Sequence, residues 1–260
     1  MPTVIDEYSL ATVPVIPMFN ETVLGNATAF VWRHNDRDFL ITNWHVVTGR
    51  NNETGTNLHP QGGRPNRLRL YFNPAQMMFG KHEADQELFQ PDGSPVWCVH
   101  PVHGRAVDVV AILLPPQPAH LHFRPINHMS SDRLEISVGM DVFILGYPFG
   151  YQPPGYPVWK QGSVASEPQL APLTHRYMLV DSASRPGMSG SPVIRRSWGN
   201  HMLENNNVAM GTGSATRFIG VYSGRLHTND LNDAQLARVW PRALLEEIVQ
   251  IPTRDRLDHE

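Results

Sequence analysis

Short apolar runs, each closed off by turn residues, set the rhythm of this chain. The segments Thr28 to Trp32, Asp38 to Thr42, Leu68 to Phe72, Val107 to Leu114, Asp141 to Leu145, Met178 to Val180, Pro192 to Ile194 and Phe218 to Tyr222 are rich in Val, Ile, Leu and aromatics. Bounded by Gly, Pro, Asn or Asp, they predict β-strands. Many short strands at this spacing point to an all-β sandwich or barrel rather than alternating βαβ units. Two stretches break the rhythm. Arg50 to Asn66 and Ser197 to Ser214 are polar and rich in Gly, Pro or Asn, and predict surface loops. Near the end the period changes. Asp230 to Trp240 predicts a helix capped by Asp230 or Asn232, and Pro241 opens another with Leu244, Leu245 and Ile248 on one apolar face.

Composition narrows the classes of function. With 41% hydrophobic and 17% charged residues, the 260-residue chain has the make-up of a globular protein. A formal net charge of -3 and the lack of any Lys or Arg run leave no footprint for nucleic acid or a membrane surface. Cys98 is the single cysteine, so no intrachain disulfide forms, which fits a reducing compartment or a bacterial protein. No apolar run approaches the roughly 20 residues of a membrane helix. Met1 to Phe19 carries Asp6 and Glu7 and does not read as a signal peptide. The expected location is cytoplasmic, or secreted if a leader has been removed. The sequons at Asn20, Asn26 and Asn52 would matter only in a eukaryotic secretory route.

Three segments carry candidate chemistry. In Ile41 to Val47, His45 follows an apolar strand; alone, it reads equally well as a buried structural histidine. In Val107 to Pro115, Asp108 opens a nearly continuous apolar strand, where a buried carboxylate must be paired or hydrogen-bonded. In Ser184 to Ile194, glycines flank Ser189, and Pro186, Pro192 and an apolar strand frame the turn. Glycine lets a backbone aim two N–H groups at one spot beside a hydroxyl, which acyl transfer needs to stabilise an oxyanion. The order His45, Asp108, Ser189 is that of chymotrypsin-type triads, not of subtilisins or α/β-hydrolases.

With these segments in that order, the sequence resembles the trypsin-like serine peptidases, and within them the bacterial HtrA (Deg) proteases and glutamyl endopeptidases. Phe143 to Gly150 is similar to the Gly-Asn-Pro-Phe-Gly element of HtrA-type proteases, and Gln161 to Ser166 to their next strand. Val180 to Ala183 resembles their Thr-Asp-Ala-Ala, and Ile219 to Ser223 the strand lining the substrate cleft. The likeness runs from about Ala29 to about Arg225.

The resemblance implies two antiparallel β-barrels with the active site between them, plus a C-terminal helix. Residues 1–120 would form the barrel with His45 and Asp108, residues 121–228 the barrel with Ser189, and residues 229–260 a helical tail. It implies Ser189 as nucleophile, His45 as general base and Asp108 as its orienting partner. Gly187 and Ser189 would supply the oxyanion-hole N–H groups, and Ser223 a hydrogen bond to Asp108. Met188 stands where digestive members carry an aspartate, so activation by a new N-terminus pairing with that acid is excluded. Ala183, at the base of the pocket for the residue before the cut, argues against Arg or Lys. Tyr222 replaces the histidine of glutamyl endopeptidases, and Arg225 lies near the cleft strand. Small or apolar side chains are the expected preference.

No cofactor and no metal is expected: His100 and His103 lack a third ligand at a recognisable spacing. Cys98 reads as a small buried hydrophobe. Expected partners are peptide or protein substrates and a protein activator, with no nucleic acid and no membrane. Two other readings stay open: a latent or inactive trypsin-fold peptide-binding module, and an esterase using the same triad.

Overall fold

A computed structural model of the protein describes residues 5–74, 80–130, 133–150, 155–183, 185–226 and 235–256. After a short helix α1 (Glu7–Ala11), the first half is built from β1 (Thr12–Phe19), β2 (Thr22–Val23), β3 (Ala27–His34) and β4 (Arg37–Thr42). Helix α2 (Trp44–Thr48) follows, then β5 (Arg67–Phe72), β6 (His82–Glu87), β7 (Trp97–Val99) and β8 (Val110–Leu113). The second half contains β9 (Asp141–Gly146), β10 (Val158–Val164), β11 (Met178–Asp181), β12 (Pro192–Trp198), the hairpin β13 (His201–Leu203) and β14 (Asn207–Ala209), β15 (Ser214–Arg225) and β16 (Leu236–Pro241). Helix α3 (Arg242–Gln250) and strand β17 (Thr253–Arg254) end the described chain.

The protein is all-β, with two antiparallel barrels. The second is closed in the order β10-β11-β16-β15-β12-β9. The first runs β17-β7-β8-β4-β3-β1-β5-β6, with β2 beside β1, and Val96 N–H, just before β7, donates to Leu88 O, just after β6. Three cores result. Ala29, Val31, Leu40, Val110 and Ile112 fill the first barrel, and Ile144, Val180, Val193 and Val239 the second. Between them Phe30, Trp32, Phe39, Ile41 and Ala111 meet Ile194, Phe218, Trp240, Leu245 and Ile248.

This third core explains the sequence pattern. In β3, alternate residues face opposite sides, and here both sides are buried, so Ala27 to Trp32 reads as one apolar run. Phe218 lies at the junction, its ring centroid 5.3 Å from Phe30 and 5.4 Å from Trp32.

All eight sequence-predicted segments contain strand, but several expectations need correction. Val107 to Val109 are not strand; β8 starts at Val110, and the three preceding residues form the bend that carries Asp108. The apolar run after Asn43 turns into helix α2 instead of extending β4. Ser197 to Ser214 is not a plain loop, because it contains the β13–β14 hairpin and the ends of β12 and β15. Helix α3 forms as expected, with Pro241 at its cap and Leu245, Ile248 and Val249 buried. No helix precedes it over residues 236–240: β16 pairs there with β11 and β15 and closes the second barrel. Asp230 and Asn232 lie outside the described residues. Residues 229–260 are therefore not a separate tail, since β16 belongs to the second barrel and β17 to the first.

Replacing Phe218 with Ala removes a ring shared by both halves and should cost about 3–5 kcal/mol. Urea unfolding of the two proteins measures it, and a loss confined to a few tenths would deny the junction that weight.

Candidate active site

Strand β4 is buried to its end at Thr42, and Asn43 and helix α2 then bring His45 to the barrel junction. Asp108 reaches it from a tight turn, in which Gly104 N–H donates to His100 O and Val109 N–H to Val107 O. The Asp108 side chain is 1% exposed. A carboxylate so buried must be satisfied, and His45 meets both oxygens. Its backbone N–H donates to Oδ1 at 2.9 Å and its ring Nδ1 lies 2.6 Å from Oδ2. That pairing assigns the proton to Nδ1 and leaves Nε2 as a base. Asn43 locks the turn from the other side, its Nδ2 donating to Asp108 O at 2.7 Å.

Ser189 lies on a loop that only glycine permits at two points. Gly187 has φ +97° and Gly190 φ +82°, and a Cβ would stand 2.2 Å from Tyr147 O and 2.1 Å from Thr28 O respectively. Within residues 187–191, the N–H groups of Met188, Gly190 and Ser191 donate to Arg185 O, Tyr222 O and Met188 O. Those of Gly187 and Ser189 have no partner among the described residues.

Threonines of the first barrel clip this loop in place. Thr28 N–H donates to Ser189 O and Thr28 Oγ1 to Gly187 O, both at 2.8 Å. Thr42 Oγ1 in turn donates to Thr28 O at 2.9 Å. Sequence reasoning gave Thr28, Thr42 and Asn43 no role. Asn43 stood in the His45 segment, but the threonines carry no signal beyond being polar in apolar strands.

His45 and Ser189 line one cavity of about 280 Å³, with Leu24, Leu58, His59, Pro60 and Pro65. Five of its fourteen lining residues come from the Arg50 to Asn66 stretch. It is folded onto the cleft, with Leu58 N–H donating to Gly49 O and Glu53 paired to Arg238 of β16. Ser189 and His45 share this cavity, and contacts in such sites commonly tighten only when a ligand binds.

The remaining site expectations fare differently. Ser223 does not bond Asp108: it is buried, and its Oγ has no partner among the described residues, while His45 already occupies both carboxylate oxygens. Tyr222 does not face the cleft, because its ring sits in the second barrel's core. Ala183 is exposed on a shallow depression with Lys160 and Asp181, apart from the cavity, and Arg225 is exposed. Ser184 lies outside the described residues. Cys98 is buried, and burial pushes its thiol up, away from a reactive thiolate. His100 is 1% exposed, and its Nδ1 accepts from the N–H groups of Val102 and His103 at 3.2 Å. Burial first, with His103 and Arg176 adding, holds it below the usual histidine range against the opposing pull of Glu247, 3.0 Å away. No cluster of three metal-ligating side chains occurs among the described residues.

Two β-barrels with a serine and a buried His–Asp pair at their junction define a chymotrypsin-type serine endopeptidase. The trypsin-like peptidase domain matches residues 27–200, and the chain belongs to that family. Among solved structures, it is similar to the active form of the Rv3671c protease of M. tuberculosis, with 18% identity and a TM-score of 0.50. That match covers 96% of this chain and 84% of the other. It is also similar to the HtrA-type protease AlgW solved with a tripeptide, at 15% identity and TM-score 0.51, covering 93% of this chain and 60% of that one. A comparison with curated proteins finds no match.

Thr28→Val keeps the shape of the clip but strands Gly187 O and the Tyr147 N–H that Thr28 Oγ1 accepts. It should cost about 1–3 kcal/mol in urea unfolding; an unchanged midpoint would show the clip to be idle. His100 generates a pH dependence. Its folded-state pKa is depressed, so the unfolded chain takes up the proton first and stability falls as pH drops below 6.5. Thermal unfolding across that range should show a shallower acid slope for His100→Gln than for wild type, and identical slopes would remove His100 as a cause.

Proposed function

We propose that the protein hydrolyses peptide bonds through an acyl-enzyme formed on Ser189. The observation that carries this reading is the buried Asp108–His45 pair, at 2.6 Å, sharing one cavity with a serine on a glycine-flanked loop. His45 Nε2 takes the Ser189 proton as Oγ bonds to the scissile carbonyl carbon. The carbonyl oxygen becomes an oxyanion held by the N–H groups of Gly187 and Ser189, the two in that loop without a partner among the described residues. Collapse breaks the C–N bond, and His45 returns the proton to the departing amine. Water then repeats the sequence, with His45 as base, and frees the acid. Asp108 stays ionised throughout, fixing the tautomer and offsetting the charge of the imidazolium. Each oxyanion donor contributes about 3 kcal/mol to such a transition state.

Substrates are peptide or protein segments extended across the barrel junction. The apolar side chains of Leu24, Leu58, Pro60 and Pro65 in the cavity wall support a preference for small or apolar residues before the cut. A protein activator remains part of the proposal, acting on the cleft that His45 and Ser189 share.

Fluorophosphonate labelling of the purified protein tests the reaction. Wild type should label at Ser189, and Ser189→Ala should not label at all. Failure of wild type to label would favour the latent peptide-binding reading. Amide turnover far below ester turnover would favour an esterase. A peptide-library profile dominated by Lys, Arg or Glu would overturn the preference for small or apolar residues.

A further inference from the structure

Helix α2, which carries His45, is the least self-sufficient element of the site. It has five residues, too few for a helix to hold itself together, since nucleating a turn fixes several residues for one hydrogen bond. Its N-cap residue Asn43 makes no capping bond: its Nδ2 donates to Asp108 O, and its Oδ1 has no partner among the described residues. Behind it a cleft of about 600 Å³ is bordered by Val47 and Thr48, both buried, and by Asp255. The position of His45 therefore depends on what anchors Trp44, the buried residue that precedes it.

That anchor comes from more than two hundred residues along the chain. The Trp44 indole N–H donates to Asp255 Oδ2 at 2.8 Å, and the indole N–H of Trp97 donates to the same oxygen at 2.9 Å. Asp255 is itself held by strand β17, in which Thr253 pairs with Val99 and Arg254 with Cys98 of β7. Arg254 Nη1 also donates to Pro95 O, and Asp255 N–H to Trp97 O. Strand β7 neighbours β8, which begins two residues after Asp108, and β8 neighbours β4, which ends three residues before His45. The β17 segment thus braces both members of the catalytic pair, His45 through a side chain and Asp108 through the sheet.

We infer that Asp255 is a positioning residue for catalysis, holding His45 in register through Trp44. The inference rests on His45 being the general base. One carboxylate oxygen gathers two buried indole donors, a charge-assisted arrangement that fixes both rings in direction as well as depth. Without it, Trp44 keeps its apolar burial but loses the only polar restraint the structure gives its ring nitrogen. The helix then shifts by fractions of an ångström, against which acyl transfer has little tolerance.

The test compares Asp255→Ala and Asp255→Asn with wild type in the full chain. It reads kcat and KM on a cleaved peptide, the fluorophosphonate labelling rate, and two proton NMR signals. These are the indole N–H resonances of Trp44 and Trp97, and the low-field Nδ1–H of His45 against Asp108. Asp255→Ala should lower kcat by up to about a hundredfold with KM nearly unchanged. It should also move both indole signals and broaden the His45 proton. Asp255→Asn should restore most of the rate and the His45 signal, because an amide oxygen can accept both indoles where Oδ2 does. Wild-type kcat and an unchanged His45 proton in Asp255→Ala would overturn the inference, as would equal damage in Asp255→Asn. Should Asp255→Ala fail to fold, Trp44→Phe removes the same bond while keeping an aromatic ring in the core, and is judged by the same signals. The NMR comparison decides even if wild type never labels, so failure of the proposed reaction stays separate from failure of this one.

Discussion

A carboxylate that is 1% exposed must be answered by hydrogen bonds or it will not stay charged, and Asp108 is answered by one residue at both oxygens. Much of the first barrel can be understood as the means of making that contact. The bend from Val107 to Val109 forgoes strand pairing so that the carboxylate points inward. Strand β4 stops at Thr42, and the His45 backbone N–H three residues on reaches Oδ1. Asn43 makes no capping bond to the helix, and its side chain secures Asp108 O through Nδ2. The order of an otherwise marginal helix is thereby tied to the burial of a charge.

Bringing Ser189 to this pair depends on the two barrels being held in one relative position, and the double-sided strands do this. Phe30 and Trp32 of β3 face the second barrel while Ala29 and Val31 face the first. Thr28, on the same strand, reaches the serine loop at two backbone oxygens. Packing and hydrogen bonding therefore act through one element. A shift of β3 large enough to separate histidine from serine would also open the aromatic junction, where each ring pair contributes about 0.5–1.5 kcal/mol beyond its buried area.

What the sequence disclosed, and what it hid, follows from this layout. Stretches buried on both faces, such as residues 29–32 of β3, appear as unbroken apolar runs and were legible. Strand β1 was not, because Pro14 and Pro17 interrupt it, although both sit in register with neighbouring strands. Strand β6, His82–Glu87, is polar on both faces and has no period to detect. The segments of His45, Asp108 and Ser189 were legible because they hold distinctive residue types in the chain order of the trypsin-like family. Roles that depend on where a side chain points were not: Tyr222 turns into a core, Ser223 stops short of Asp108, and Asp255 gains its place only after the chain has folded back. Residues 236–240 misled because strand and helix share the same residues there, and only pairing with β11 and β15 decides between them.

The route of β17 has a consequence in time. Strand β7 gains its outer neighbour from residues that leave the ribosome after the whole second barrel has been made. For most of synthesis the nascent first barrel carries a bare strand edge, open to pairing with other chains. The strand that shields this edge also brings the carboxylate that meets Trp44, so a single late event protects the sheet and completes the surroundings of the histidine.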